Sequence, residues 1–489
     1  MRIQAIVCLR LTALLLAATP SLTPAAWVHF DPADSTKVPK KFSETGFYSN
    51  WAAKTVTPEA KPFDVNSPLW SDAAVKSRWI LVKAGTKVQF VPNEDYYDYP
   101  DGAVFVKLFQ HDTIPGNPAS RIWWETRLLV NKEVIDSVNF PAASMVKQDY
   151  WHVFSYKWTK DGSEALLVPP AGKDTFLTVT VKGQKTFRKW TFPSVEACNQ
   201  CHRQFVDGNG ARGRAVLGFF TAQINRPTAA DPSMNQIRKL FADNILAWSK
   251  PAPTEIEIAA MPKWARLDDS TATLDLRARS YIGANCSGCH GMRGLESGAP
   301  GRCTPINFDY FKKEGNSLVQ GDKLEDKPVS TFGLEPKVSP QGDTVQPSLI
   351  TPGYPEISVL LFRMKARDTL PPTDPDAWSS TQDQMPPVGV FEVDTVATQL
   401  ITKWIAAMPP TPISIRHRRS ARSADAPFVR GNLILLSASL RAGKVTLIGL
   451  DGRKRDLIRT SEDSFLLPRG LPTGVYMVKS GAKTFKLVL

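Results

Sequence analysis

The chain has 489 residues, of which 42% are hydrophobic and 22% are charged, so it is long enough for several domains with separate cores. Its formal net charge is +13, yet residues 411–489 alone contain 15 basic and 5 acidic residues, a net charge of +10. Because the excess positive charge belongs to this tail, it argues against a nucleic-acid or anionic-membrane surface on the body of the protein, and we predict no nucleic-acid partner.

The first 26 residues have the features of an export signal. Arg2 and Arg10 supply positive charge, residues 11–16 are apolar, and small residues at positions 25–26 suit cleavage. We therefore predict a signal peptide over 1–26, which would remove Cys8, and an exported protein in the periplasm or at the cell surface. No stretch of the sequence is long and apolar enough to predict a transmembrane span.

Residues 27–186 are predicted to form a β-rich, sandwich-like domain. Short runs of aromatic and β-branched residues, such as 78–82 and 103–109, recur between turn residues. His111 and His152 fall in this domain. Surface or core roles are the more common ones for such histidines, so neither is predicted to bind iron.

Two copies of Cys-x-x-Cys-His follow, the first in a predicted helical segment over 187–262 and the second in a segment over 263–410. The motif residues are Cys198, Cys201 and His202 in the first copy, and Cys286, Cys289 and His290 in the second. In this motif the two thiols add to the haem vinyl groups and the histidine binds the iron. We therefore predict two covalently attached c-type haems, one in each segment, with His202 and His290 as iron ligands.

Two other chemistries also use paired cysteines. A structural zinc site built from both pairs would require the motifs to converge, and it gives no reason for a histidine after each pair. A thioredoxin-like redox pair should follow a βαβ pattern, which neither motif does. The fifth cysteine of the predicted mature chain, Cys303, has no partner, and a small buried hydrophobic role is favoured for it.

The second segment has the order of parts of a small cytochrome c. A helix is predicted from near Thr273 into the motif, and a closing helix over 396–408 is predicted with Asp394 as its N-cap. Met385, in the loop before that helix, is the predicted distal iron ligand. Met364 is its alternative.

For the first haem the candidate distal ligands are Met234 and Met261, and an open site is the third alternative. His/Met ligation raises the reduction potential and suits electron transfer, whereas an open iron can bind peroxide or gas.

Beyond the second segment, residues 411–427 are predicted to be a basic linker, and residues 428–489 a small β-sandwich. The predicted fold class is therefore multidomain α+β, with an N-terminal β-sandwich-like domain, two mainly α-helical c-type haem domains and a C-terminal β-sandwich.

The chain resembles bacterial dihaem c-type cytochromes with an N-terminal β-rich domain over most of residues 42–408. The resemblance rests on segments 43–46 (Ser-Glu-Thr-Gly), 66–72 (Asn-Ser-Pro-Leu-Trp-Ser-Asp), 125–130, 216–219, 223–225, 277–281, 357–364 and 385–387. It implies haem content and architecture more than a particular reaction. The tail is similar to a C-terminal sorting domain of the type IX secretion system through segments 450–453, 471–478 and 483–489, which implies the outer-membrane secretion machinery as a partner.

The predicted function is an electron carrier that exchanges electrons with redox partner proteins, with no catalytic residues of its own. One alternative is a dihaem peroxidase-like enzyme with an open first haem. The other is a binding module whose β-rich domain docks a carbohydrate or a dehydrogenase.

Overall fold

The computed structural model divides the chain into two units, Met1–Thr411 and Pro412–Leu489, which we describe separately. The described residues are 27–93, 96–135, 147–202, 215–290, 308, 311–314, 317–320, 337–338, 344–345, 349–367 and 384–409 in the first unit, and 428–430, 433–436, 444–449, 451–461, 464–468, 470–472, 474–480 and 483–488 in the second. The predicted signal peptide, the predicted linker over 411–427, and Cys303 lie outside these ranges.

Strands outnumber helices by 24 to 7 over the described part of the chain, so the protein is mostly β. The predicted α+β class with two mainly helical haem domains is therefore wrong. The physical reason is that the helical pieces around the first motif are short and share their core with a sheet, instead of enclosing a core of their own.

The first unit is built around a six-stranded antiparallel sheet with the order β3-β4-β6-β7-β8-β9. The strands from the N-terminus are β1 (Tyr48–Asn50), β2 (Thr55–Val56), β3 (Lys61–Phe63), β4 (Val75–Leu81), β5 (Val88–Gln89), β6 (Val104–Asp112), β7 (Arg121–Ile135), β8 (Lys147–Trp158), β9 (Ala165–Leu167), β10 (Lys173–Val181) and β11 (Gln184–Phe192). Strands β10 and β11 form a separate hairpin, and β11 leads directly toward the first motif.

The two faces of the six-stranded sheet bury different cores because successive side chains of a strand point to opposite sides. On one face Val106 and Leu128 pack with aromatic residues of the N-terminal segment, including Phe42. On the other face Phe105 and Leu129 pack in the core that contains Cys198. The second face therefore carries the first motif.

The helices are short except for the two that frame the second motif. They are α1 (Val195–His202), α2 (Thr221–Ile224), α3 (Gln236–Ala242), α4 (Glu255–Ala259), α5 (Leu274–His290), α6 (Val359–Lys365) and α7 (Thr395–Ala406). The helix predicted to enter the second motif is confirmed as α5, and the closing helix as α7, whose N-cap Asp394 accepts a hydrogen bond from Ala397 N at 2.9 Å. These two helices and α6 enclose one apolar core.

The remaining short strands of the first unit are β12 (Leu246–Ala247), β13 (Phe311–Glu314), β14 (Ser317–Gln320), β15 (Lys337–Val338) and β16 (Thr344–Val345). The second unit consists of two four-stranded antiparallel sheets around one core. Its strands are β17 (Phe428–Arg430), β18 (Leu433–Leu435), β19 (Val445–Gly449), β20 (Lys454–Asp456), β21 (Ile458–Arg459), β22 (Ser464–Leu466), β23 (Val475–Ser480) and β24 (Lys483–Val488).

Candidate functional site

The first motif occupies the single helix α1, which packs on β8. Ser194 caps this helix, because its Oγ accepts a hydrogen bond from Ala197 N at 3.1 Å. Cys198 is 7% exposed and lies in the same core as Val153 of β8. The sheet therefore fixes the position of the first motif.

The second motif forms the last turn of α5, whose Ala278 and Ile282 are buried against the α6–α7 core. Gly283 lies on the same helix, and a Cβ there would come within 2.9 Å of the Trp264 ring. This close approach explains why a glycine is needed one turn before the motif.

The two motifs meet at their second cysteines. Cys201 Sγ and Cys289 Sγ are 3.6 Å apart, although 88 residues separate them in the chain. The contact with Cys289 lowers the pKa of Cys201. Burial instead raises the pKa of Cys198 to about 11 and that of Cys286 to about 12. Each motif therefore has one cysteine in its own core, and Cys201 and Cys289 are the cysteines in contact.

The His202 ring is oriented by a backbone carbonyl. Its Nδ1 lies 2.6 Å from Ala215 O, so Nδ1 carries the hydrogen and Nε2 keeps a free lone pair. Burial lowers the pKa of His202 to about 4. A neutral imidazole with this tautomer can bind a metal through Nε2, and the hydrogen bond at Nδ1 is the usual support for such a ligand.

His290 lies at the end of α5, where its carbonyl accepts a hydrogen bond from Phe308 N at 2.8 Å. The Phe308 ring stands edge-on to the imidazole, with the ring centroids 5.6 Å apart. The second histidine is therefore held beside one aromatic ring.

The zinc alternative finds only partial support. A zinc site built from both cysteine pairs requires the motifs to converge. They do converge, but the contact joins only Cys201 and Cys289, one cysteine from each pair. Within the ranges that the structure describes, no group of three or more His, Cys, Asp or Glu side chains could hold a metal ion. A structural zinc site uses four such ligands.

Two of the four candidate distal methionines, Met364 and Met261, pack in or against the core of a motif. Met364 is buried in the core against which Cys286 packs, and the Met385 N–H donates to Arg363 O at 3.0 Å. Met261 packs against the core that contains Cys198. Met234 sits in a turn that its N–H closes onto Asp231 O at 3.1 Å. The choice of distal ligands stays a prediction.

His111 and His152 occupy packing positions. His111 is 3% exposed, and its ring centroid is 4.7 Å from that of Trp190. Burial lowers its pKa to about 4. His152 is partly buried, with its ring 4.8 Å from Tyr150.

A row of cations crosses the sheet face on which α1 packs, and sequence reasoning missed it. Strand pairing sets Arg78 of β4 opposite Lys107 of β6, and Lys107 opposite Arg127 of β7. Like charges in directly opposed positions are destabilising unless anions compensate for them. The sequence shows charged residues among the apolar ones of each strand. It does not show the register between strands, which brings these cations into one row.

Two carboxylates compensate for part of this row. The Arg127 Nε donates to Glu125 Oε1 at 2.6 Å, and Glu125 is fully buried. The Arg78 Nη1 donates to Asp64 Oδ1 at 3.0 Å, and Asp64 is shared with Arg226 at the same distance. Lys107 has no carboxylate partner among the described residues, and its Nζ lies 4.8 Å from the Phe109 ring centroid.

The segment 66–72 joins the sheet to both helical regions. Asn66 Nδ2 donates to Ala222 O at 3.0 Å, and Trp70 N donates to Asn285 Oδ1 of α5 at 2.7 Å. The Asp72 carboxylate accepts backbone hydrogen bonds from Phe391 at 3.0 Å and Glu392 at 2.9 Å. This segment therefore fixes α5 and the loop before α7 against the sheet.

We expect the free energy of unfolding to fall as the pH rises from about 4 to about 6, because burial raises the pKa of Asp72 from 3.8 to about 6. Between these two pH values the folded state keeps a proton on Asp72 that the unfolded state has lost. The stabilisation by this proton is complete below the pKa of the unfolded state and is lost as the pH rises above the pKa of the folded state. The change corresponds to about 3 kcal/mol.

Urea unfolding of the wild type and of Asp72→Asn across this pH range measures the effect as a difference. The variant should lack the pH dependence that Asp72 causes. A wild-type stability that instead rises with pH relative to the variant would mean that the backbone hydrogen bonds of Asp72 outweigh its burial.

Comparison with known proteins gives no assignment, because no family model, no curated protein and no solved structure matches this chain. No helix among the described residues is long and apolar enough to cross a membrane. The resemblances to dihaem cytochromes and to a sorting domain stay predictions.

Proposed function

We propose that the protein is an exported dihaem c-type cytochrome that passes electrons between a redox partner and an acceptor. The contact between Cys201 Sγ and Cys289 Sγ, at 3.6 Å, carries this proposal. Two haems attached at adjoining motifs would be neighbours, which favours electron transfer between them within one chain. A pair of independent haem domains would have no need of such a contact.

The residues of the first motif fit a covalently bound haem. Each thiol would add across one vinyl group, with the sulfur bonding one carbon and the thiol hydrogen going to the other, so no oxidant is consumed. His202 would bind the iron through Nε2, and its Nδ1 donates to Ala215 O. The bound haem supplies one-electron redox chemistry, and the protein tunes its potential and limits the access of water.

The mass of the intact mature protein tests this proposal. We expect two haem masses in the wild type, one fewer when Cys198 and Cys201 are both changed to Ala, and two in the control Cys303→Ser. A chain that carries zinc and no haem would support the structural-metal alternative. A haem-free chain in which a disulfide joins Cys201 to Cys289 would overturn the proposal in favour of dithiol chemistry.

Spectroscopy of the oxidised protein tests the predicted distal ligand. Met385→Ala should abolish the weak far-red band of a methionine–iron bond and lower the reduction potential of that haem, because thioether ligation raises it. Met364→Ala, which removes the alternative ligand, is the comparison variant. Loss of the band in this variant alone would transfer the ligand role to Met364, and a high-spin wild-type haem with peroxide turnover would support the peroxidase-like alternative.

A further inference from the structure

The cationic row beside the first motif has more positive charge than its protein partners compensate for. Arg78, Lys107 and Arg127 lie opposite one another on three adjacent strands. Glu125 pairs with Arg127, while Asp64 divides its charge between Arg78 and Arg226. Lys107, at the centre of the row, forms no ion pair among the described residues, and Glu125, whose charge acts on it, is already paired with Arg127.

Burial makes this excess costly. The side chain of Arg78 is 9% exposed and that of Arg127 is 25% exposed. Burial, followed by the charges of Arg78 and Lys76, lowers the pKa of Lys107 well below its usual value. A buried cation that remains charged needs a carboxylate or another anion in contact with it.

The row also lies where a group attached to the first motif would reach it. Its next position is Ser155 of β8, the strand on which α1 packs. The charge of Arg127 acts on Cys198, and the charges of Lys107 and Arg127 act on His202. From β8 the row runs across β7 and β6 to β4, at about 4.8 Å per strand, away from the helix that carries the thiols.

We infer that Lys107, supported by Arg78 and Arg127, binds the propionate carboxylates of the haem attached at Cys198 and Cys201. This inference rests on the proposed function. The propionates lie on the haem edge opposite the two thioether bonds, and a row that begins under α1 and leads away from it suits that arrangement. Two carboxylates would also supply the negative charge that the row lacks, through charge-assisted hydrogen bonds.

The test is the pH dependence of the two reduction potentials in the matured holoprotein, with Lys107→Met as the variant. In the wild type, the cations should keep the propionates ionised and the potential of the first haem constant near neutral pH. The other charged groups that face Lys107 are Lys76 and Arg78 on β4, Arg127 and Glu125 on β7, and His202 on α1; all are retained in this variant.

In Lys107→Met one of the two potentials should fall and should become pH-dependent, rising again as acid protonates the uncompensated propionate. Lys107→Arg should restore the constant potential. Lys37→Met, which removes an exposed lysine that forms an ion pair with Asp34, should leave both potentials unchanged. If Lys107→Met does not fold, Lys107→Gln gives the same comparison with a polar side chain.

Three outcomes would overturn the inference. If Lys107→Met and Lys37→Met both carry two haems with the same potentials, the inference about Lys107 is wrong while the proposed function stands. A matured chain without haem would overturn the proposed function together with it. If inorganic phosphate shifts the first-haem potential of the wild type but not that of Lys107→Met, the row binds a free oxyanion and not the propionates.

Discussion

Glu125→Gln is expected to lower the free energy of unfolding by about 3–5 kcal/mol, the usual cost of breaking a buried ion pair. Glutamine keeps the shape of the side chain and an oxygen for the Trp190 Nε1–H, which now donates to Glu125 Oε2 at 3.0 Å. It removes the carboxylate that pairs with Arg127 among the described residues, and Arg127 stands opposite Lys107. The cost therefore comes from an uncompensated row of cations.

A second ion pair on the same strand provides the control. Arg121 Nε, at the start of β7, donates to Asp112 Oδ1 of β6 at 2.7 Å, and the Asp112 side chain keeps 15% of its exposure whereas that of Glu125 keeps none. Ion pairs whose carboxylate is within reach of solvent contribute about 0–1 kcal/mol, so Asp112→Asn should cost less than Glu125→Gln. Urea unfolding of both variants gives the comparison, and equal losses would contradict the importance that we assign to the buried pair.

The double variant Glu125→Gln/Lys107→Met tests whether Glu125 and Lys107 are energetically coupled. If Arg127 and Lys107 repel each other once Glu125 is neutralised, Lys107→Met should recover part of the stability that Glu125→Gln loses. The two changes would then be non-additive, as is usual for residues in one charge network. Strict additivity would mean that Lys107 does not feel the loss of the carboxylate.

The helices around the second motif were predictable because their information is local. Apolar residues at helical spacing and the N-cap Asp394 are properties of one continuous segment, and α5 and α7 form there. The motif cysteines and histidines were likewise identifiable from their five-residue spacing, although haem attachment itself stays a proposal.

The architecture around the first motif was not predictable in the same way, because it depends on contacts between distant residues. Ile237 and Leu240 recur at helical spacing, but they pack in the core that also contains sheet residues, and the helix there is only seven residues long. A stripe of this kind does not specify what covers it. The two predicted helical domains failed for this reason.

The meeting of Cys201 with Cys289 and the row of cations depend on geometry that one sequence does not specify. Strand periodicity assigns Arg78, Lys107 and Arg127 to one side of each strand, but only the register of β4, β6 and β7 brings them into one line. A one-residue slip between two strands would send one member to the opposite face. The strongest electrostatic feature near the first motif therefore appears only in three dimensions.

Trp404→Ala is expected to destabilise the first unit by about 3–5 kcal/mol, the usual cost of deleting a buried tryptophan side chain. Trp404 is 4% exposed and packs in the core that α7 shares with α5 and α6. Its Nε1–H donates to Asp275 Oδ1 of α5 at 3.0 Å, and the Arg279 guanidinium lies 5.4 Å from its ring. The substitution thus removes both apolar packing and a polar link between the helices.

Two further variants separate these contributions. Trp404→Phe should keep most of the packing and lose mainly the hydrogen bond to Asp275, at a cost nearer 1 kcal/mol. Val396→Ala changes an apolar residue of α7 that is 62% exposed, and it should alter stability by less than about 0.5 kcal/mol. Because α5 ends in Cys286, Cys289 and His290, weakening its contact with α7 should also make the position of the second motif more variable. A loss in Trp404→Ala no larger than in Val396→Ala would mean that this helix pair does not hold the second motif in place.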